Sequence, residues 1–469
     1  MDDFRLEKDS LGEVRVPADA LYGAQTQRAV ENFPVSGEPM PAEFLHALGL
    51  VKQVAARVNA ELGLLEPEVA GAIAAAAGEV AAGRWDAEFP VDVFQTGSGT
   101  STNMNANEVI ARRAGQLLGR PVHPNDQVNL GQSSNDAIPA ALHVAAVLGI
   151  ERELVPALER LRDVLAAKAR DWDHVVKTAR THLMDATPIR LGQEFSGYAA
   201  QVEHGVARLR AVLPDLRELA LGGTAVGTGL NTHPEFGART AAGLSRAAGT
   251  QFREAANHFE AQGAQDAAAW ASGALNTVAA SLMKIANDVR LLNSGPRCGL
   301  AELSLPALQP GSSIMPGKVN PVICEAVIQA GAQVMGDHVA VTVGAQWGQL
   351  ELNTMLPLIA RNLLESVRLL AGAARLLADK AIAGLEADEE TCRGYVEISP
   401  AMATALSPLV GYDRAAEIAK RAFRERRPVR EVAREMTDLT PEQIERALDP
   451  RRQTEPGLEP GSPPGGAGG

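Results

Sequence analysis

The sequence predicts a mainly α-helical protein organised around a long central helical bundle. Three observations carry this. Alanine and leucine are plentiful in a chain that is 46% hydrophobic but only 4% aromatic, and both bury area while favouring helix. Prolines leave uninterrupted 25 residues between Pro188 and Pro214, 61 between Pro234 and Pro296 and 35 between Pro321 and Pro357, which permits very long helices. Apolar residues in the middle of the chain recur in alternating steps of three and four, the seam of near-parallel packed helices.

Residues 1–135 read as a mixed, mostly helical domain. Pro17, Pro34, Pro39, Pro41, Pro67 and Pro90 punctuate it. Helices are expected over 42–62 and 67–82, and a short strand over 13–16. Residues 136–395 hold the bundle. Leu191, Phe195, Tyr198, Val202, Gly205, Leu209 and Val212 make one stripe. Leu275, Val278, Leu282, Ile285, Val289 and Leu292 make a second, and Ala360, Leu363, Val367, Leu370, Ala374 and Leu377 a third. These are packing surfaces, not ligand sites. Helices of about 30 residues are about 45 Å long, and a bundle of them has faces left to bury, so an oligomer is expected. Residues 396–450 read as a small helical domain with helices over 411–427 and 440–448. Thr440-Pro441 is an N-cap followed by proline at the first helical position. The Pro/Gly-rich stretch 451–469 is expected to be disordered.

Net charge is −13 and the pI about 5.3, which argues against nucleic-acid or anionic-membrane partners. A chain this negative must build a local positive site to hold an anion. Cys298, Cys324 and Cys392 are odd in number, far apart and lack metal spacing. The N-terminus is acidic and polar, and no apolar run reaches membrane-spanning length. A reducing, cytoplasmic location is expected.

Four polar segments interrupt the helical pattern. Residues 311–321, GSSIMPGKVNP, combine glycines, hydroxyls, a lysine and an amide, a cradle for a small anion. Five residues separate Gly311 from Gly317, and Val319 follows Lys318. The P-loop spacing therefore fails, and nucleotide binding is disfavoured. Residues 95–108 are rich in Gly, Ser and Thr. They read either as a loop capping a helix or as a nest of donors for a carboxylate. Asn103, Asn105 and Asn107 favour the second, because buried asparagines need partners. In residues 123–136, His123, Asn125 and Asp126 read as a Pro-Asn-Asp turn rather than metal ligands, since no second cluster completes a site. Residues 180–194 place His182 between Arg180 and Asp185 before a long helix. A lone histidine is usually structural, but acid–base work fits this setting. Glu325 lies seven residues beyond Lys318, ordinarily a solvated face.

Together these segments resemble class II fumarase, of the aspartase/fumarase superfamily. GSSIMPGKVNP resembles the superfamily signature. Similarity runs from GEVRVPADALYGAQTQRA (12–29) through LGGTAVGTGLNTH (221–233) and KIANDVRLLNSGPRCG (284–299) to GYDRAAEIAKRA (411–422). Gly317-Lys318, Gln132-Ser133-Ser134-Asn135-Asp136 and the histidine of Arg180-Thr181-His182-Leu183 follow the fumarase pattern rather than that of aspartate ammonia-lyase.

The resemblance implies a three-region fold assembling as a homotetramer, with active sites shared by three subunits. It implies reversible hydration of fumarate to L-malate by anti addition through an aci-carboxylate, with no metal or other cofactor. Ser312 would be the base at C3 and Lys318 a charge-stabilising donor. His182 would act on the water side, oriented by Glu325. Ser98, Gly99, Thr100, Ser133, Ser134, Asn135, Thr181, Ser313, Val319 and Asn320, with Lys318, would hold the dicarboxylate. A second anion site would fall on Arg120, His123, Pro124, Asn125 and Asp126. There the run LGRPVHPND is shorter than in many relatives, with one basic position fewer. An ammonia-lyase on the same scaffold is the alternative, and a non-catalytic helical-bundle protein the remote one.

Overall fold

The computed structural model describes residues 4–457. Among them, seventeen α-helices are accompanied by five small two-stranded sheets. The chain divides into two compact units. The first takes in residues up to Ala157, Gly205–Ala280 and Gln329–Ala373, and the second Leu158–His204, Ser281–Ile328 and residues from Ala374 on.

The first unit opens on an antiparallel hairpin, Phe4–Asp9 with Gly12–Pro17, which extends the strand expected over 13–16. The helix Ala42–Glu61 is its hub, packing on Pro67–Ala81, Ser134–Gly149 and Phe236–Ala248. Both early helices lie within one residue of the sequence-based bounds. Phe44, Leu48, Val51, Ala55 and Val58 supply its buried face, and Pro67 occupies a first helical position where no N–H is missed.

The three stripes behave as seams. Every residue of Leu275, Val278, Leu282, Ile285, Val289 and Leu292 is buried, as are the members of the other two stripes. They lie on the helices Leu191–Leu216, Asp266–Leu292 and Leu356–Leu376, the last running on through a π-helical turn, Leu377–Ile382. In the first unit a Cβ built on Gly205 would stand 3.2 Å from Val278 Cγ2. In the second, Tyr198 Oη donates to Asp288 Oδ2 at 3.0 Å. As numbering rises on one helix it falls on the other, so the pair is antiparallel. The helices Val322–Ala345 and Leu356–Leu376 are antiparallel too, since Ser366 Oγ donates to Asp337 Oδ2 and Ile359 packs on Gly344.

The second unit contains a hairpin that the helical reading did not anticipate, Val176–Thr181 with Met184–Arg190. Its C-terminal part has its own core of Val396, Met402, Leu406, Ile418, Val432 and Ile444. The helix Pro441–Ala447 is capped by Thr440 in a capping box with Gln443. At the head of the expected Pro/Gly tail, Gln193 Nε2 donates to Thr454 O at 3.0 Å and Glu455 pairs with Arg190 at 2.9 Å. Residues 458–469 of that tail lie outside the described residues. Among the described residues, no helix is long and apolar enough to cross a membrane.

Leu282→Ala empties a fully enclosed seam position, 1% exposed. We expect a loss of about 2–5 kcal/mol, read as a lowered midpoint in thermal or denaturant unfolding.

Candidate active site

In the first unit two helix starts meet. The helix Thr100–Leu118 begins after Gly99, whose φ of 70° and position against Ile138 leave no room for a side chain. The helix Ser134–Gly149 begins after Ser133, which closes a capping box with Asp136. Thr100 Oγ1 lies 2.8 Å from Ser98 Oγ and 2.8 Å from Ser134 Oγ. Ser98, Thr100 and Ser134 therefore form one hydroxyl chain at two N-termini, where backbone N–H groups and the helix dipoles favour an anion. Asn135 stands beside it, its Nδ2 donating to Ala225 O at 2.8 Å.

Asn103, Asn105 and Asn107 turn out to be helical and buried rather than part of a loop. Asn103 and Asn107, one turn apart, both donate to Asn129 Oδ1, while Asn105 donates to Glu88 O. They brace the segment behind the hydroxyl chain.

Of the residues expected at the second anion site, Pro124, Asn125 and Asp126 fall in a single π-helical turn, Pro124–Val128, which His123 caps. His123 Nδ1 accepts the Asp126 N–H at 3.0 Å, and Asn125 is exposed. The Arg120 guanidinium is engaged elsewhere, 2.8 Å from Glu66 and 3.7 Å from Glu68.

In the second unit, Thr181 and His182 sit at the tip of the hairpin and are exposed. The two-residue turn is His182-Leu183, with φ of 55° and 61°. Such turns usually carry Asn or Gly, so two side chains are held there at a cost in strain. The hold is a buried charge network. Arg180 Nη1 donates to both Glu302 carboxylate oxygens at 2.9 Å. Lys177, 1% exposed, lies 3.1 Å from Glu302 and 3.0 Å from Glu194.

Residues 311–321 are a loop closed at its neck. Gly311 N donates to Lys318 O at 2.8 Å, and Asn320 Nδ2 donates to Gly311 O at 2.6 Å. Inside, Ser312 Oγ accepts the backbone N–H groups of Met315 at 3.0 Å and Ile314 at 3.3 Å. Ser313, Lys318 and Val319 are exposed. Glu325 lies in the first turn of the helix Val322–Ala345. Among the described residues, no hydrogen bond or ion pair engages the Lys318 ammonium or the Glu325 carboxylate, and none joins His182 to Glu325. Nor do the described residues bring three or more His, Cys, Asp or Glu together as metal ligands.

Residues 12–336 match the lyase family, and residues 402–455 match the fumarase C C-terminus. The chain is 56% identical over 457 residues to a fumarate hydratase class II of Xylella fastidiosa, covering 97% of each chain. It is 57% identical over 462 residues to that of Halobacterium salinarum, covering 97% of this chain and 98% of the relative. The chain belongs to the class II fumarase family. The class II fumarase from Schistosoma mansoni superposes with a TM-score of 0.94 at 41% identity, covering 96% of this chain and 99% of that one. As a class II fumarase, the chain carries its hydroxyl chain, its His182 hairpin and its 311–321 loop inside the matched lyase region.

Sequence reasoning missed two groups at this site, the 222–225 loop that touches Asn135 and the fully buried Lys52.

Glu302→Ala would leave Lys177 and Arg180 facing one another without their buried carboxylate. We expect a loss of about 3–5 kcal/mol, measured as a drop in thermal midpoint.

Proposed function

We propose that this class II fumarase is a fumarate hydratase, interconverting fumarate and L-malate in the tricarboxylic acid cycle by anti addition and elimination of water. The observation that carries the reading is Ser312, whose Oγ is fixed by two backbone N–H groups inside the closed loop. Starting from malate, a base takes the C3 proton. The resulting aci-carboxylate holds the added charge on its oxygens, and the C2 hydroxyl takes up a proton and leaves as water. Because C3 lies beside a carboxylate that is already negative, its proton is weakly acidic. Donors placed in advance around the carboxylate oxygens are then the strongest device available.

Ser312 is the base, its alkoxide stabilised by the Ile314 and Met315 N–H groups and by Lys318. Ser98, Gly99, Thr100, Ser133, Ser134 and Asn135 hold a substrate carboxylate at the paired helix starts. Thr181, Ser313, Lys318, Val319 and Asn320 complete the cage, Asn320 also closing the loop neck. His182 transfers the proton on the water side, with Glu325 orienting it. The second anion site, on Arg120, His123, Pro124, Asn125 and Asp126, is weakened in this chain, because Arg120 is already paired with glutamates.

The active form is a homotetramer with sites shared by three subunits. In support, the helix Val322–Ala345 leaves Ala332, Met335, Gly336, Val339 and Val343 exposed along one face at helical spacing. Such a stripe of small and apolar residues suits helix-on-helix packing between subunits. The compartment is the cytoplasm. All three cysteines are free, and burial pushes the Cys324 thiol up to about 11 and the Cys392 thiol up to about 12, so neither is a ready thiolate.

Ultraviolet absorbance should report fumarate formation from L-malate and none from L-aspartate; turnover of aspartate alone would make the chain an ammonia-lyase. Ser312→Ala should lose about 10²–10⁴-fold in kcat while still binding fumarate, and His182→Asn should also slow turnover. Near-normal kcat in either variant removes that residue from the chemistry. Val339→Glu should shift the mass seen by light scattering from tetramer to smaller species; an unchanged mass would exclude this face from the assembly.

A further inference from the structure

Behind the hydroxyl chain lies a buried charge that the reaction itself does not use. Asp136 is fully enclosed. Its Oδ1 accepts the Ser133 N–H at 2.9 Å, and its Oδ2 accepts the N–H groups of Gly222 at 3.2 Å and Thr224 at 2.9 Å. One carboxylate thus ties together two loops about 90 residues apart in sequence. Asn135 repeats the tie through Ala225 O. The second loop is bent to meet them. Gly222 has φ of 101°, and Thr224, a non-glycine residue, has φ of 53°. Gln262 Nε2 donates to Thr224 O at 2.8 Å and helps to hold it there.

A carboxylate so enclosed requires a counter-charge. Lys52 supplies it from the hub helix, where it too is fully enclosed. Its ammonium donates to Asn129 Oδ1 at 2.9 Å, the atom on which Asn103 and Asn107 converge. Asn129 Nδ2 in turn donates to Gln132 O, next to Ser133. Burial pushes the Asp136 carboxyl up and the Lys52 ammonium down, and each charge partly offsets the shift of the other. Among the described residues, Asp136 and Lys52 are each other's charged neighbour of consequence.

We propose that Asp136 and Lys52 are positioning residues for the substrate. The carboxylate clamps Ser133, Ser134 and Asn135 onto the 222–225 loop, and the buried ammonium keeps that carboxylate charged. The inference rests on the reading of Ser134 and Asn135 as substrate contacts. A neutral amide at 136 cannot serve the same three N–H groups, because one of its two polar atoms is itself a donor. The helix start would then shift, and the hydroxyl spacing with it.

The test compares the full-length wild type with Ser134→Ala, Asp136→Asn, Lys52→Met and the Asp136→Asn/Lys52→Met double variant. kcat and KM for L-malate are measured beside the thermal midpoint. Asp136→Asn should raise KM about ten-fold or more, with kcat changed far less. Lys52→Met should raise KM in the same direction. The double variant should be no worse than Asp136→Asn alone, because the counter-charge has nothing left to balance. A purely structural role would lower the midpoint and the yield of active enzyme but leave KM at the wild-type value, and that result overturns the proposal. A double variant whose KM rise is the product of the two single rises overturns the pairing. Should Asp136→Asn not fold, an unchanged KM in Lys52→Met overturns it instead. An unchanged KM in Ser134→Ala refutes the substrate-contact reading, a failure separate from that of the clamp.

Discussion

The apolar seams of the long helices constrain where every polar group of this protein can act. A helix interior satisfies its own backbone hydrogen bonds, so unsatisfied N–H groups exist only at its start. The polar segments lie at such starts. Residues 98–100 run into Thr100–Leu118, residues 133–135 open Ser134–Gly149, and residues 311–321 lead into Val322–Ala345. The His182 hairpin runs directly into Leu191–Leu216. Seam residues such as Leu282 and Leu363 fix the rotation and register of their helices, and the ends follow. In a chain of net charge −13, these ends provide positive potential without a surplus of cations.

Charges that are buried are compensated locally. Glu302 is fully enclosed and faces Arg180 and Lys177, while Asp136 is enclosed and answered by Lys52 through the field rather than by contact. Such arrangements add little net stability over apolar packing, yet removing one partner is expensive. Their value here is geometric. The first sits one residue before Thr181 and His182, and the second sits one residue after Asn135. Each supports a strained or tightly turned stretch of backbone that would relax if the charge were lost.

Much of this was legible in the sequence where one periodicity or one cap decides the outcome. The 3–4 stripes predicted seams whose members are all buried, and Thr440-Pro441 predicted a cap that the structure contains. The hairpin at 176–190 was not legible. Its buried Lys177 faces inward because two glutamates meet it, so the strand lacks the apolar alternation that would announce it. Its turn is His-Leu, which lacks the glycine, asparagine or aspartate that usually marks a two-residue hairpin loop. Lys52 was hidden for the same reason. In VKQVAARV a lone lysine carries no signal of burial, and its ammonium is met by Asn129 from the distant segment 123–136. The asparagines at 103, 105 and 107 were recognised as needing partners, but those partners lie on other segments, so the sequence could not say whether the backbone there was loop or helix.

The 311–321 loop shows why the same residue types can serve different chemistry. In a phosphate cradle the backbone N–H groups point outward at the ligand. Here two of them point inward at Ser312 Oγ. Hydrogen bonds to a charged oxygen are worth about 1.5–3 kcal/mol each, so the pair supplies about 3–6 kcal/mol, or about two to four pKa units. That is too little on its own to make a serine hydroxyl a base near neutral pH. For Ser312 to act as the proposed base, the remaining stabilisation would come from a full positive charge, and Lys318 lies six residues on in the same loop. Its ammonium has no side-chain partner among the described residues, and its backbone carbonyl is the group that closes the neck. The lysine backbone is therefore held at the neck of the loop that contains the serine, which suits the proposed role of its ammonium as the cation that would stabilise a Ser312 alkoxide.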